Sequence, residues 1–357
     1  MKQPRIVIDA RMVTAQGHGI ANYLLDLLAG LKQLQVQKKL PYEIFLLISP
    51  SLPADHSLRH YPLAEVKIPF LHPSELWTLP TILTQIQASL YFSPSFSSLW
   101  KYPCPHLQTV HDLNHLEFGN IRQKLYYRFV LKKSALSAAT LFTVSESAKK
   151  EILAWLRVDK KIEITLNAIR EPEIVSESIT QDILKKFGVE KEKYFFCLSN
   201  PKPHKNLDFL KRAYQKSKSI MPLLLSIEGH NEGLLRHTGA LSGKELSVLL
   251  RHCRAFFFPS LYEGFGRPPL EAAVCERVVI ASNIAPLSEA MALIPEQEKC
   301  LLDPKQEKAW ALAFQKAEKG SFLPVSSLTK KNILAQYSAE NSARLVDKAI
   351  QRALSGP

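Results

Sequence analysis

Several things are missing from this sequence, and each absence narrows its reading. No apolar run approaches the ~18–20 residues of a membrane-spanning helix, so none is expected. The opening "MKQPRIVIDAR" does not resemble a signal peptide, because its apolar stretch is short and ends in charge. The five cysteines, Cys104, Cys197, Cys253, Cys275 and Cys300, form no CxxC pair and are odd in number. A disulfide framework is therefore not expected, and a reducing cytoplasmic compartment is. The eleven histidines include no HExxH pattern, and no Asp-x-Asp pair occurs anywhere. Neither of these common metal signatures is present, so no metal is expected. Acidic residues are also absent from Phe118 to Ser145.

The 357 residues exceed one ordinary core and suggest two domains, each able to bury its own. With 46% hydrophobic and 22% charged residues, the composition is that of a globular protein. The net charge of +13 calls for anionic partners or for a solvated basic surface. Part of it is local: Arg122, Lys124, Arg128, Lys132 and Lys133 fall inside the acid-free segment. On a continuous helix Lys124, Arg128 and Lys132 would share one face. That face is either a solvated surface or a patch for anionic lipid, where each cation contributes ~1 kcal/mol. Nucleic acid is not expected, since no binding motif or stacking pattern accompanies the charge.

Short apolar runs alternate with helical patterns along the chain. The first half offers strands at 5–11, 42–49, 66–70, 90–95, 106–112, 140–145 and 161–168, with helical stretches such as "ANYLLDLLAGLKQL" between them. Such alternation predicts parallel sheets with crossover helices. The polar segment 170–181 lacks apolar periodicity and reads as a linker. The pattern then restarts with strands at 194–200, 223–229, 236–240, 254–260 and 278–283. We expect an α/β protein with a first domain over 1–170, a linker over 171–181, a second domain over 182–335 and a closing helix over 336–357 that could pack back on the first domain. Two doubly wound halves imply a cleft, with ligands at the carboxyl ends of the strands.

The candidate chemistry lies just after strands. In "FFFPSLYEGFGRPPLEAAV", 256–274, a buried strand runs into a glycine turn, and Pro268 and Pro269 suit the first turn of a helix. Gly264 and Gly266 let the backbone approach a ligand, and the amides from Gly264 to Arg267 suit a phosphate. Glu263 and Glu271 would repel that phosphate, so sugar hydroxyls are their fitting partners. Glu271 also suits the helix dipole without any ligand. In "LSNPKPHKNLDFL", 198–210, Lys205 follows a strand and either meets a diphosphate as a point charge or is a surface lysine. His204 is either an assistant there or merely exposed. Near the start, Gly17 and Gly19 flank His18 before a helix, which is a weak signal on its own. In "TVHDLNHL", 109–116, His111 and Asp112 end another strand, and a core histidine is the alternative.

Taken together, "GHGIANY", "TVHDL", "TVSESAKKEI", "NPKPHKNL" and "PSLYEGFGRPPLEA" make the chain resemble the retaining glycosyltransferases of family 4, the glycosyl transferases group 1. "NPKPHKNL" is similar to bacterial enzymes that add mannose or a related sugar to polysaccharide or lipopolysaccharide precursors. The resemblance implies a GT-B fold, two Rossmann-like domains facing a central cleft. It implies a nucleotide sugar as donor, GDP-mannose favoured, with no cofactor. The implied acceptor is a lipid-linked or lipopolysaccharide glycan, met at the inner face of the cytoplasmic membrane.

By the same resemblance, His111, Glu263 and Lys205 are the catalytic candidates. Glu263 would hold the transferred sugar, Lys205 the leaving diphosphate, and His111 would contact the sugar. Gly17, Gly19, Asn200, His204, Asn206, Gly264, Phe265, Gly266 and Glu271 would bind the donor, with Glu271 on the ribose. Asp112, Lys124, Arg128 and Lys132 are candidates for the acceptor or membrane side. Three residues depart from the family's pattern: His204 and Ser199 stand where members carry arginine, and Ala168 replaces a common glycine. The short segment after Gly229 leaves the base open. A phosphorylase- or epimerase-like sugar enzyme and a non-catalytic nucleotide-sugar binder remain alternatives on the same architecture.

Overall fold

The computed structural model describes residues 3–14, 19–38 and 40–356. The chain divides into two compact units, one of residues 1–168 with 338–357 and the other of residues 169–337.

The first unit is built on seven parallel strands: β1 (Arg5–Asp9), β2 (Glu43–Ile48), β3 (Leu63–Glu65), β4 (Leu90–Ser93), β5 (His106–Thr109), β6 (Thr140–Thr143) and β7 (Ile162–Ile164). Their order is β3-β2-β1-β4-β5-β6-β7, so the winding reverses direction after β3. Both faces are covered, as a parallel sheet requires. Ile6 and Ile8 of β1 pack in one core with Leu24, Leu27 and Leu31 of the helix Gly19–Gln37 and with Val346 and Ile350. Val7 points the other way, into a core with Leu79 and Leu83 of the helix Glu75–Gln85. The last helix, Ala339–Leu354, belongs to this first unit. It packs on Gly19–Gln37 at Gly30, where a Cβ would collide with the Ala339 carbonyl oxygen. Asp347 anchors it, accepting from Lys38 Nζ at 2.6 Å and from the Tyr42 hydroxyl at 2.9 Å.

The second unit has six parallel strands: β8 (Phe195–Cys197), β9 (Leu223–Leu225), β10 (Leu235–His237), β11 (Ala255–Phe258), β12 (Val278–Ser282) and β13 (Lys299–Leu302). Their order is β10-β9-β8-β11-β12-β13. Phe195, Phe257 and Ile280 share a core with Trp310 and Phe314 of the helix Glu307–Glu318.

The strand windows of the sequence run beyond the paired residues. Segment 194–200 pairs only over Phe195–Cys197, because the chain then leaves the sheet in the loop that leads to Pro203. Segment 66–70 is not a strand. The paired residues lie earlier, at Leu63–Glu65, and Pro69 in the expected run has no N–H to donate. The edge strand β13 carries too short an apolar run to be recognised. The polar segment 170–181 is helical from Glu177 onward, where Ser176 caps the helix Glu177–Phe187.

Candidate active site

In the second unit the candidate residues gather on the connections that leave β8 and β11, two adjacent strands. After β8 the chain forms a short 3₁₀ turn, Pro203–Lys205. Asn206 follows with a positive φ of 57° and starts the helix Leu207–Ser217. The Asn206 side-chain amide donates to the carbonyls of Pro259 at 3.2 Å and Pro304 at 3.0 Å. It thus ties the connections after β8, β11 and β13 together, which is a structural use of a residue expected to bind donor. His204 is buried rather than exposed, and its carbonyl accepts from Leu261 N–H at 2.7 Å. Asn200 is exposed and accepts from the Lys202 N–H.

These ties hold Lys205 against the loop after β11. Its Nζ lies 2.5 Å from Oε1 of Glu263, and both side chains are about one-seventh exposed, at 14% and 13%. The same ammonium lies 5.5 Å from the ring centre of Phe258. Two groups singled out from separate motifs therefore form one ion pair.

The glycine turn that follows is conformationally demanding. Gly266 has φ +100°, and a Cβ there would run into the Leu287 side chain, so both backbone and space require glycine. Phe265 turns its ring into the core, 5.4 Å from that of Tyr337, which leaves only its backbone for a ligand. The helix Arg267–Val274 then begins, with the two prolines in its first turn. On it, Arg267 Nε donates to Glu271 Oε1 at 3.2 Å. Sequence reasoning gave Arg267 no role of its own; its signal was a cation at the entrance of a helix that otherwise favours acids.

In the first unit, His111 follows β5 and is 7% exposed. Its Nε2 donates to the Pro94 carbonyl at 2.8 Å, and the Tyr23 ring meets it edge-on at 4.8 Å. The Tyr23 hydroxyl in turn bonds Thr165 at 2.8 Å. Asp112 accepts from the Asn114 N–H and so shapes the turn into the helix Asn114–Glu117. Gly19 opens the helix Gly19–Gln37 with free space at its Cβ position, whereas Gly17 lies outside the described residues. At the end of β1, Arg11 is fully buried with two acids, Asp9 at 2.7 Å and Glu75 at 2.9 Å. Burial raises the Glu75 carboxyl above its usual range even though Arg11 pulls it down. Nothing in the local sequence pattern marks this cluster, because Glu75 arrives from a different crossover.

The basic face needs correcting. Lys124 lies on the helix Ile121–Tyr126 and Lys132 on Lys132–Ser137, with a π turn, Tyr127–Leu131, between them. The wider turn breaks the four-residue repeat. Lys132 Nζ donates to the Trp155 carbonyl at 2.8 Å, so it does not join Lys124 and Arg128. Beside the exposed Arg122 and Arg128, the segment exposes apolar side chains: Ile121 is 71%, Leu125 47% and Phe129 59% accessible. Among the described residues no helix is long and apolar enough to cross a membrane. Also among them, no three His, Cys, Asp or Glu side chains are grouped as a metal ion would need.

Comparison with known proteins agrees with this arrangement. Residues 179–336, most of the second unit, match the family described as Glycosyl transferases group 1. The chain is 27% identical over 256 residues to the O-antigen chain mannosyltransferase RfbU of Salmonella typhimurium strain LT2, covering 67% of each. It is 27% identical over 263 residues to the O-antigen chain mannosyltransferase B of Escherichia coli, covering 66% of each. Among solved structures, sucrose-phosphate synthase from Thermosynechococcus elongatus superposes with a TM-score of 0.75 at 14% identity, over 99% of this chain and 100% of that one. With two parallel Rossmann-like sheets and a Glycosyl transferases group 1 domain over residues 179–336, the chain is a glycosyltransferase of GT-B fold.

Proposed function

We propose that the protein transfers mannose from GDP-mannose to a lipid-linked or lipopolysaccharide glycan, with retention of anomeric configuration and without a metal. The observation that carries this reading is the Lys205–Glu263 pair beside the Gly264–Gly266 turn. The mannosyltransferase names of the relatives favour the sugar and the acceptor class. In this reading Glu263 accepts from hydroxyls of the transferred sugar and Glu271 from the ribose. The amides of Gly264, Phe265 and Gly266 face sugar or diphosphate, and His111 donates to or accepts from the sugar.

The acceptor hydroxyl oxygen attacks the anomeric carbon on the face from which the diphosphate departs. The bond from that carbon to the phosphate oxygen breaks, its electron pair stays with the phosphate, and the phosphate takes the hydroxyl proton. Lys205 stabilises the charge that grows on the diphosphate. Prepositioned cations and dipoles of this kind supply most of such a barrier reduction.

The test is incorporation of labelled mannose from GDP-mannose into a lipid-extractable acceptor, with the anomeric configuration of the product read by NMR. Wild-type transfer that is lost in Glu263→Ala supports the reading. Transfer at the wild-type rate by that variant, or phosphorolysis driven by orthophosphate, overturns it.

A second element of the reading is the acceptor's surroundings. Ile121, Leu125 and Phe129 are all exposed, and Arg122, Lys124, Arg128 and Lys133 lie beside them in the acid-free segment 118–145. Lys133 Nζ lies 3.9 Å from the ring centre of Trp100, itself 47% exposed. A lipid surface carrying anionic head groups satisfies both the apolar residues and the cations. We therefore place the protein at the inner face of the cytoplasmic membrane, with the apolar residues contributing more than the charge pattern alone suggests.

A further inference from the structure

The connections after β8 and β11 contain two cations that are largely withdrawn from water, and each is held by a carboxylate. Lys205 is paired with Glu263, and Arg267 with Glu271, the latter two side chains being 15% and 18% exposed. The other lysines close by in the sequence, Lys202 after β8 and Lys305 after β13, are exposed. Arg267 also occupies an unfavourable place. It is the first residue of its helix, where the backbone dipole favours negative charge and opposes a cation. Glu271 relieves that opposition one turn later, and an anion lying at the loop would relieve it equally well.

The position is also held firmly. Gly266, directly before Arg267, has φ +100° and is packed against Leu287. The start of the helix, and with it the Arg267 backbone, is thus fixed relative to the glycine turn.

We infer that Arg267 is a second cation for the diphosphate of the donor, acting beside Lys205. The inference rests on the proposed donor site. Without donor, each cation is kept on the carboxylate that belongs to the hydroxyls. When donor binds, the partners exchange: the ribose and sugar hydroxyls take Glu271 and Glu263, and the diphosphate takes Arg267 and Lys205. The exchange leaves no carboxylate facing phosphate and no cation without an anion. A planar guanidinium fork can meet two phosphate oxygens at once, which an ammonium cannot. This assigns a chemical role to a residue that also holds Glu271 in place.

The experiment compares ligands with and without the diphosphate. Titration calorimetry on the full chain measures GDP against guanosine, with UDP against uridine in parallel, for wild type, Arg267→Gln, Arg267→Lys and Glu271→Gln. Loss of a charge-assisted contact to phosphate weakens the diphosphate by about tenfold or more. Arg267→Gln is expected to do this while leaving nucleoside affinity unchanged, and Arg267→Lys to restore part of it. Glu271→Gln is expected to weaken nucleoside and diphosphate by similar factors. If Arg267→Gln weakens both ligands equally, Arg267 acts only by positioning Glu271 and the inference is overturned. It is overturned as well if neither ligand is affected. Arg267→Lys carries the same comparison should Arg267→Gln fail to fold. If wild type binds neither diphosphate, the donor site itself is wrong, which is a different outcome from any of these.

Discussion

Lys205 Nζ lies 2.5 Å from Glu263 Oε1, although 58 positions separate the two residues in the chain. The pair exists because β8 and β11 are neighbours in the sheet and their connections leave from the same end. Glu263 neutralises Lys205 in this pair, and the proposed chemistry needs both groups to serve other partners. Glu263→Gln and Lys205→Met should each lower kcat/KM for transfer by about a hundredfold or more, the scale of losing one positioned electrostatic contact. Circular dichroism should show that both variants remain folded. A variant that keeps wild-type kcat/KM would remove that residue from the chemistry.

The glycine turn makes a stability prediction. Gly266→Ala must hold a positive φ and also displace Leu287, so it should cost about 1–3 kcal/mol in urea unfolding. Adding Leu287→Ala should leave the backbone term uncorrected, because it relieves only the collision. Transfer should fall in Gly266→Ala even where the protein is folded, since the turn positions the amides beside Glu263.

Vesicle binding separates the apolar face from the charges. Ile121→Ser, Leu125→Ser and Phe129→Ser together should weaken binding to vesicles rich in anionic lipid by about a hundredfold or more, as each fully buried apolar side chain contributes ~1.5–3 kcal/mol. Thermal stability should change little, because all three are exposed in the free protein. Among the charges, Arg128→Glu should matter and Lys132→Glu should act mainly on stability, since Lys132 serves the Trp155 carbonyl. Sedimentation with vesicles at low and high salt reads both effects.

The first unit should lose stability in mild acid. Burial pushes the His106 imidazole down to about 4, Lys160 adds to the effect, and the hydrogen bond to the Ser134 carbonyl opposes it. His106 also stacks on Tyr102 at 3.5 Å, with the rings nearly parallel. Unfolding restores an ordinary imidazole near 6.5, so between that value and about 4 the unfolded chain binds the extra proton. Stability therefore falls as the pH falls through this window, by up to ~1.4 kcal/mol per pH unit from this group. His106→Phe keeps the stack and removes the titration, so its stability should depend less on pH across the window. An unchanged pH profile would show that other groups set the acid sensitivity.

Much of the architecture is legible in local patterns. The alternation of apolar runs with helical stretches identified the parallel α/β class, and the motif from Phe256 to Val274 located a strand, a glycine turn and a helix start. The family resemblance read from these motifs agrees with the group 1 match and with the GT-B neighbours. Strand limits were less legible, because an apolar residue such as Leu198 or Ile227 follows the last paired residue of its strand and prolongs the apolar run. The basic face was misread for a related reason. A four-residue repeat assumes an unbroken α-helix, and the π turn at Tyr127–Leu131 is set by packing rather than by the repeat itself.

The sequence by itself determined what neighbouring residues can decide: which segments pair as strands, where glycine and proline turn the chain, and which chemical groups stand at the strand ends. Tertiary structure decided which of those groups meet. It paired Lys205 with Glu263, spent the Asn206 amide on two carbonyls and buried the Phe265 ring. It also turned Lys132 toward Trp155. The physical reason is one of range. Periodicity and turn stereochemistry act over a few residues, whereas partners across strand ends depend on strand order and on the packing that holds each connection in place.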